Sequence, residues 1–331
     1  MQQQGTFCDF PGGDSWVILS PIEQSIKRKI EAVGTPLKDW DIQINYGIKT
    51  GFNDAFIITS EKRDEILANC ATEDERKRTD ELIRPILRGR DIKRYGYEWA
   101  KLYLIATFPA RHYDIEQYPA VKHYLLSFAY EDLIANGNEW VANGHLAEFC
   151  QQKLAQTGQY VVVNGKHVLD NKGNKEKGRK KTSNKWFETQ DSISYWEDFY
   201  KPKAMWKIIG CNINFSFDYD RLLCNNAVNI ITGDESIILQ FVGIMNSKLF
   251  DWYLKLTTEA EVQGGGIQLY VTTLEKTQVK LDFPQPLANV VKDRVKAIAS
   301  DEDVDNAVFD AYNLSITERK YILTNRKVNR R

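Results

Sequence analysis

The chain has 331 residues, of which 43% are hydrophobic and 27% charged, and this composition excludes a disordered or collagen-like protein. Its formal net charge of −1 excludes an overall basic field, so any binding to nucleic acid must depend on local clusters. No apolar run is long enough to span a membrane, and the first residues lack the features of a signal peptide. Five scattered cysteines form no disulfide or zinc pattern, so we expect a soluble, cytoplasmic protein with reduced thiols.

The first 34 residues are predicted to be a linker followed by one helix. Ser20-Pro21-Ile22-Glu23 is a capping box with proline at the first helical position, and it predicts a helix to about Val33, ended by Gly34. Two short strands are predicted next, over 42–46 and 55–59. The tight loop 47–54 joins them.

A charged helix is predicted over about 60–83, and Arg84-Pro85 should end it. Asn164-Gly165 lies between two apolar runs, which predicts a hairpin with a type I′ turn whose arms project from the core sheet. The remaining predicted strands are 102–106, 203–210, 214–217, 227–232 and 279–283, and the remaining predicted helices are 120–126, 235–254, 287–299 and 302–325. Strands scattered among helices predict a mixed α/β fold.

Motifs for catalysis are absent from the sequence. There is no P-loop, no glycine-rich dinucleotide fingerprint and no Gly-x-Ser-x-Gly elbow, and four histidines lack metal-ligand spacing. The Pro-Pro loop with which adenine methyltransferases hold a flipped base is also missing. We therefore predict no metal site and no methyl transfer by this chain alone. A metal-dependent nuclease that uses Asp91 and Lys93, and a protein–protein scaffold, remain alternatives.

Two basic clusters stand out against the neutral background. The first runs over 84–95 and contains the candidates Arg88, Arg90 and Lys93. The side chains of its arginines suit phosphate or guanine edges, or alternatively pair with neighbouring carboxylates. The second follows the hairpin and is predicted to supply DNA affinity but little specificity, unless it is only a solubilising loop. Its candidate DNA-binding residues are Lys166, Lys172, Lys175, Lys177, Arg179, Lys180, Lys181, Lys185 and Trp186.

Several segments, in order, resemble one family. The segment Gly47-Ile48-Lys49-Thr50-Gly51-Phe52-Asn53-Asp54 and the residues that follow it to 58 look like part of the C-terminal specificity domain of TaqI-like DNA adenine methyltransferases. The same target-recognition domain occurs in type IIG restriction–modification enzymes. Further matching segments are 37–40, 84–92, 200–207, 243–249 and 304–315, so the resemblance spans about 20–325.

The resemblance implies a sheet-based target-recognition domain over 35–285 with projecting loops, preceded by the linker and helix of 1–34 and closed by a C-terminal helical pair in 286–331. It implies a module that binds double-stranded DNA for a methyltransferase or endonuclease domain or subunit. S-adenosylmethionine would bind that separate catalytic domain, so we expect no cofactor in this chain, which would be a fragment or a stand-alone subunit.

Within this expected domain, Lys49, Thr50 and Asn53 are candidate DNA contacts in a constrained loop. Alternatively, Thr50 and Asn53 cap the amides of their own loop. Asn246 and Ser247 are predicted to end a buried helix rather than to contact DNA.

Overall fold

The structure, a computed structural model, describes residues 19–126, 182–210, 214–257 and 266–324, with short backbone pieces at 152, 155, 162–163, 166–167 and 261–262. The described helices are α1 (Pro21–Val33), α2 (Asn53–Phe56), α3 (Ser60–Ala68), α4 (Glu73–Leu82), α5 (Pro119–Leu126), α6 (Glu235–Asn246), α7 (Lys248–Thr257), α8 (Val271–Leu274), α9 (Gln285–Val295), α10 (Asp301–Ala311) and α11 (Ile316–Thr324). The described strands are β1 (Thr35–Pro36), β2 (Ile42–Tyr46), β3 (Ile57–Thr59), β4 (Ile83–Leu87), β5 (Leu102–Ile105), β6 (Val162–Val163), β7 (Lys166–His167), β8 (Lys203–Lys207), β9 (Ile209–Gly210), β10 (Phe215–Asp218), β11 (Leu223–Cys224), β12 (Val228–Gly233), β13 (Glu261–Val262), β14 (Gly266–Gln268) and β15 (Gln278–Val279).

Two four-stranded sheets organise this part of the chain. The central sheet has the strand order β10-β8-β12-β2 and is antiparallel throughout. The side sheet has the order β11-β4-β5-β3, in which β11 and β4 are parallel and the other pairs are antiparallel. Helices pack against both sheets, and the fold is the predicted mixed α/β class.

The central sheet separates two hydrophobic cores, because successive side chains of a strand point to opposite faces. On β8, Ala204 and Trp206 belong to the first core, whereas Met205 belongs to the second. On β12, Ile231 and Ile230 divide in the same way. Because both faces are covered, these strands are buried at almost every position rather than at alternate positions.

The first core lies between the central sheet and the C-terminal helices. Helix α6 is buried at every position from Ile238 to Asn246, because it packs on β8 and β10 and also against α9 and α10. Gly243 permits the approach of α9, since a Cβ at this position would lie 2.2 Å from Cγ2 of Val291. Helix α1 adds Ile26 and Ile30 to the same core.

The second core lies between the central sheet and the side sheet. Helices α3 and α4 pack on β3, β5 and β4, and α5 packs on α3. The centre of the second core is formed by aliphatic and aromatic residues of both sheets and of the connecting segments, including Ile48, Ile86, Leu104 and Phe199. Loops next to this core carry some of the candidate DNA-binding residues, namely Lys49, Thr50, Asn53, Arg88 and Arg90.

A fully buried ion pair connects β8 to β10 at one end of the central sheet. Lys203 and Asp218 are register partners, and their side chains have no exposed surface. The Lys203 ammonium contacts the Asp218 carboxylate and donates to the Phe199 carbonyl at 2.7 Å. The same carboxylate accepts from the backbone N–H groups of Asp220 at 2.8 Å and Leu222 at 3.0 Å. Each buried charge is thus compensated by an ion pair and by further hydrogen bonds.

Three local predictions are confirmed. Ser20 and Glu23 form the expected reciprocal capping box, and α1 ends before Gly34. Val163 pairs with Lys166 in an antiparallel bridge, as a two-residue hairpin at Asn164-Gly165 requires. The projection of its arms is not visible in the described residues, and residues 171–181 of the basic loop lie outside them.

Three predicted helices are interrupted, each for a local reason. The helix predicted over 60–83 is divided into α3 and α4, because Thr72 caps a new start by accepting from the Glu75 N–H at 3.1 Å. The helix predicted over 235–254 breaks at Ser247, whose Oγ accepts from the Phe250 N–H at 3.2 Å. The last predicted helix, 302–325, becomes α10 and α11, because Asn313 adopts a left-handed φ of 52°.

The charged helix ends at Leu82, within one residue of its predicted end, and Arg84-Pro85 lies inside the strand β4 that follows. Pro85 pairs with Tyr103 of β5, whereas β11 joins β4 only from Ile86 onward. The missing N–H of proline is tolerated there because one side of β4 is still an edge. The boundaries predicted at 34/35 and 285/286 stay predictions. Among the described helices, none has both the length and the apolar composition needed to cross a membrane.

Candidate nucleic-acid interface

The glycine-flanked loop 47–53 is clamped to the turn 224–228 by its backbone. Gly47 donates to the Val228 carbonyl at 2.8 Å, Ile48 donates to the Cys224 carbonyl at 2.8 Å, and Asn226 donates back to the Ile48 carbonyl at 3.0 Å. A Cβ at Gly47 would lie 2.1 Å from the Asn225 carbonyl oxygen. Only glycine permits this approach, so the position of the loop is fixed by its first residue.

The tip of the loop is held by its own side chains. Thr50 Oγ1 accepts from the Phe52 N–H at 3.1 Å and donates to Asn53 Oδ1 at 2.7 Å, and Gly51 has a φ of 78°. Thr50 is buried, whereas Asn53 is exposed. The structure therefore favours the capping interpretation for Thr50, while Asn53 keeps its amide group at the surface. Lys49 lies beside them and is exposed.

A third segment, 184–191, packs against the loop 47–53 through backbone hydrogen bonds. The Gln190 N–H contacts the Lys49 and Thr50 carbonyls, both at 3.1 Å, and Asn184 Nδ2 supports the segment by donating to the carbonyl of Gln190 at 2.8 Å. These segments enclose an open cleft of about 390 Å³. Its lining residues are Lys49, Thr50, Gly51, Phe52, Asn53, Gln190 and Asn226.

The first basic cluster lies next to the same turn. Asn225 donates to the Leu87 carbonyl at 2.9 Å, and a Cβ at Gly89 would lie 3.2 Å from Cβ of Ala227. The structure thus brings the segment 88–90 beside the turn that forms one wall of the cleft. Arg90 is exposed and has no ion pair with any described residue.

Arg88, in contrast, is occupied by Asp91. Its Nη2 and Nε lie 2.8 and 3.0 Å from the two carboxylate oxygens, and its backbone N–H donates to the same group at 2.8 Å. The hydrogen bond to Asp91 raises the pKa of the guanidinium above its usual value. For Arg88 the structure favours the alternative of pairing with a neighbouring carboxylate.

The same contacts bear on the nuclease alternative. Asp91 is buried with its carboxylate saturated by Arg88, and Lys93 pairs with Glu98 at 3.1 Å. In the described ranges no three His, Cys, Asp or Glu residues are grouped as a metal would require. Asp91 and Lys93 thus each pair with a different side chain.

Of the second basic cluster, the described residues are Lys185 and Trp186. Lys185 is exposed, its ammonium lies 5.6 Å from the Phe187 ring centre, and Trp186 packs edge-on to the same ring at 5.7 Å. They precede Gln190 and so lie close to the cleft in sequence. Only the backbone of Lys166 is described, and the cluster members that lie outside the described residues are Lys172, Lys175, Lys177, Arg179, Lys180 and Lys181.

Outside the loop 47–53, two residues line the cleft that were not among the predicted candidates, namely Gln190 and Asn226. The Asn225-Asn226 pair is typical of a turn, which predicts its exposure but not its neighbours. Nothing local to Gln190 indicates that its segment joins the loop 47–53. As predicted, Asn246 is structural, since its amide donates to the Phe215 carbonyl at 2.7 Å and accepts from the Phe215 N–H at 3.0 Å.

No protein-family model matches the chain, and no curated protein matches it. The type IIL restriction–modification enzyme MmeI, solved in complex with DNA, is similar with a TM-score of 0.48 and 10% identity, over 87% of this chain and 36% of that chain. The type IIG restriction endonuclease BpuSI is similar with a TM-score of 0.47 and 12% identity, over 91% of this chain and 32% of that chain. This chain spans about a third of the length of either structure.

Proposed function

We propose that this chain is a sequence-specific recognition module for double-stranded DNA, acting for a restriction–modification enzyme whose adenine methyltransferase or endonuclease centre lies elsewhere. The observation that carries the proposal is the cleft formed by the loop 47–53, the turn 224–228 and the segment 184–191. Backbone hydrogen bonds between these segments fix three loops around one opening. A fixed frame with short polar side chains suits the reading of base edges.

The side chains at the opening have the appropriate chemistry. Asn and Gln can form paired hydrogen bonds with the N6 and N7 atoms of adenine in the major groove. Within the described residues, the side chains of Gln190 and Asn226 make no hydrogen bond, and Asn53 uses only its Oδ1. Three amide groups are thus available to a ligand in the cleft.

Although the chain as a whole is nearly neutral, unpaired cations lie close to the cleft. Lys49, Arg90 and Lys207 have no ion pair within the described part of the protein. Lys207, the last residue of β8, lies beside the segment 88–90, because a Cβ at Gly89 would lie 3.8 Å from the Cβ of Lys207. Cations around a polar cleft suit contacts to phosphate, which position a protein on the duplex while base contacts provide specificity. The resemblance of the segment 47–58, which contains this loop, to part of a target-recognition domain agrees with this division of roles.

The proposal is tested by selecting duplexes from a random pool with the full chain. We expect enrichment of one short motif, and no transfer when the enriched duplex is incubated with labelled S-adenosylmethionine. Enrichment of no motif would favour the scaffold alternative. Methyl transfer by the purified chain would contradict the absence of a catalytic centre, and magnesium-dependent cleavage that is lost in Asp91→Ala would favour the nuclease.

A further inference from the structure

A second pocket lies at the other end of β4 and is built around three arginines. Arg78 belongs to α4, Arg84 to β4, and Arg111 to a helical turn formed by Pro109–Arg111. Together with Tyr113 and Tyr200 they line a pocket of about 240 Å³. Arg84 and Arg88 are four residues apart on an extended strand, so this pocket is roughly 13 Å from the basic cluster beside the cleft.

The charges of this pocket are not balanced. Glu81 is the only carboxylate among its lining residues, and no ion pair within 4 Å links it or the three arginines to any described residue. Of the nine other arginines in the described ranges, five have a carboxylate partner, namely Arg63, Arg88, Arg94, Arg294 and Arg319. The pocket therefore concentrates about two uncompensated positive charges.

Aromatic rings hold two of the guanidinium groups in place. The guanidinium carbon of Arg111 lies 4.0 Å from the Trp196 ring centre and 5.4 Å from that of Tyr113, and Arg84 lies 5.5 Å from Tyr200. A guanidinium that contacts a ring face keeps its in-plane N–H groups available for an anion. Burial raises the pKa of Tyr113 to about 12, so its hydroxyl stays protonated and can donate near neutral pH.

The donors facing this pocket are also incompletely satisfied. The Nε atoms of Arg78 and Arg84 are buried and have no hydrogen-bond partner among the described residues. A buried donor without an acceptor is costly, and native proteins usually supply one. A tetrahedral anion between the three guanidinium groups would provide several acceptors at once.

We propose that this pocket binds a phosphate group. Its size is below that of typical small-molecule sites, which are about 300–1,000 Å³, and suits one phosphate with part of the group attached to it. The phosphate could come from a free phosphomonoester or from the backbone of DNA. Only the second source rests on the proposed function, because phosphate binding by the pocket does not require DNA recognition in the cleft.

The first experiment titrates inorganic phosphate with the full chain at constant ionic strength and follows ³¹P line broadening. Arg78→Gln and Arg111→Gln are the pocket variants, and Arg76→Gln is the matched control because Arg76 is an exposed residue of the same helix. We expect the wild type and Arg76→Gln to bind phosphate alike, and each pocket variant to bind it at least about tenfold more weakly. Arg111 is exposed, so its variant should fold, and circular dichroism checks this.

The second experiment identifies the source of the phosphate by measuring duplex affinity against salt concentration. If the backbone of DNA occupies the pocket, Arg111→Gln weakens duplex binding and lowers the salt slope by about 0.9. If duplex binding is unchanged while phosphate binding falls, the source is a free phosphomonoester. The proposal is overturned if both variants bind phosphate and duplex as the wild type does. If the chain binds no DNA but the pocket variants bind phosphate more weakly than the wild type, the proposed function fails and the phosphate site remains supported.

Discussion

The two sides of the central sheet differ in the contacts that their charged side chains make. On the side of the C-terminal helices, ion pairs join separate helices, as in Lys29 of α1 with Glu318 of α11, Lys248 of α7 with Asp305 of α10 and Arg294 of α9 with Asp301 of α10. On the side of the side sheet, several cations have no carboxylate partner among the described residues, including Lys49, Arg90 and the three arginines of the phosphate pocket. Paired charges stabilise a fold, whereas unpaired cations are available to an anionic ligand. We therefore propose that the ion pairs of the first side contribute mainly to stability and that the unpaired cations of the second side bind an anionic ligand.

The largest effect is expected at the ion pair that connects β8 to β10. Lys203→Met leaves Asp218 as a buried, uncompensated charge, which should lower the free energy of unfolding by about 3–5 kcal/mol in urea denaturation. Lys201→Met is the control, because Lys201 is 56% exposed and its pair with Asp198 should contribute at most about 1 kcal/mol. Equal losses for the two variants would show that the buried pair has no special role.

A pH-dependent effect is expected where α1 meets α11. Burial alone would raise the pKa of Glu318, but hydrogen bonds from Lys29, the Ser315 N–H and Ser25 hold it at about 2. Because the folded-state pKa is below the ordinary 4.5, the carboxylate contributes stability above about pH 4.5 that is lost as the pH falls towards 2.

Glu318→Gln should therefore be less stable than the wild type at pH 6, and this difference should shrink by roughly 2–3 kcal/mol by pH 2. Urea midpoints measured across this range test it, with the exposed Glu197→Gln as control. A difference that does not change with pH would contradict the assignment. DNA binding at neutral pH should be unaffected wherever Glu318→Gln remains folded, because Glu318 lies on the first side of the central sheet.

How far the sequence predicts the structure depends on how local the signal is. The capping box at Ser20 and Glu23 and the turn at Thr50 are both encoded within four residues. The capping box forms as predicted, and of the two alternatives for Thr50 the structure favours the capping of its own loop. The interruptions near Asn69 and Asn313 were missed, since an apolar or charged run continues through each and only the local contacts reveal the break. The break at Ser247 was predicted in part, because Asn246 and Ser247 were expected to end a helix although one helix was predicted over 235–254.

The candidate sites depend on contacts between distant segments, and these are harder to predict. Lys49 and Asn53 belong to a quoted motif, but Gln190 joins them only because its N–H contacts the carbonyls of Lys49 and Thr50. Arg78 and Arg111 belong to no quoted motif, and although Arg84 begins the matching segment 84–92, only the fold brings the three arginines together. The role of Arg179 and the neighbouring lysines stays a prediction, since those residues lie outside the described ranges.

A smaller effect on stability, with a large effect on binding, is expected at the base of the cleft. Gly47→Ala places a Cβ against the carbonyl oxygens of Asn225 and Val228 and should force the loop 47–53 away from its neighbours. Such overpacking costs about 1–3 kcal/mol in the free energy of unfolding, and duplex affinity should fall in the folded variant. Gly96→Ala is the control, because nothing lies within 4 Å of its new Cβ. If Gly47→Ala binds the duplex with the affinity of the wild type, the cleft does not contribute to DNA binding.

The smallest effect is expected for a single cation at the cleft. Lys49→Gln should lower the slope of log affinity against log salt by about 0.9, because one phosphate contact is lost, and should weaken binding to all duplexes similarly. Lys38→Gln removes an exposed lysine from the segment before β2 and should leave the slope unchanged. Equal slopes for both variants would place Lys49 away from the phosphates.

The most direct test of the recognition claim compares single-base variants of the selected duplex. Asn226→Ala and Gln190→Ala are measured by fluorescence anisotropy against every single-base change, with Asn69→Ala, an exposed residue at the end of α3, as control. We expect each cleft variant to lose about 1–3 kcal/mol of discrimination at one base pair and to keep it at the others. Discrimination equal to that of the wild type at every base pair would contradict the claim that this cleft reads the sequence.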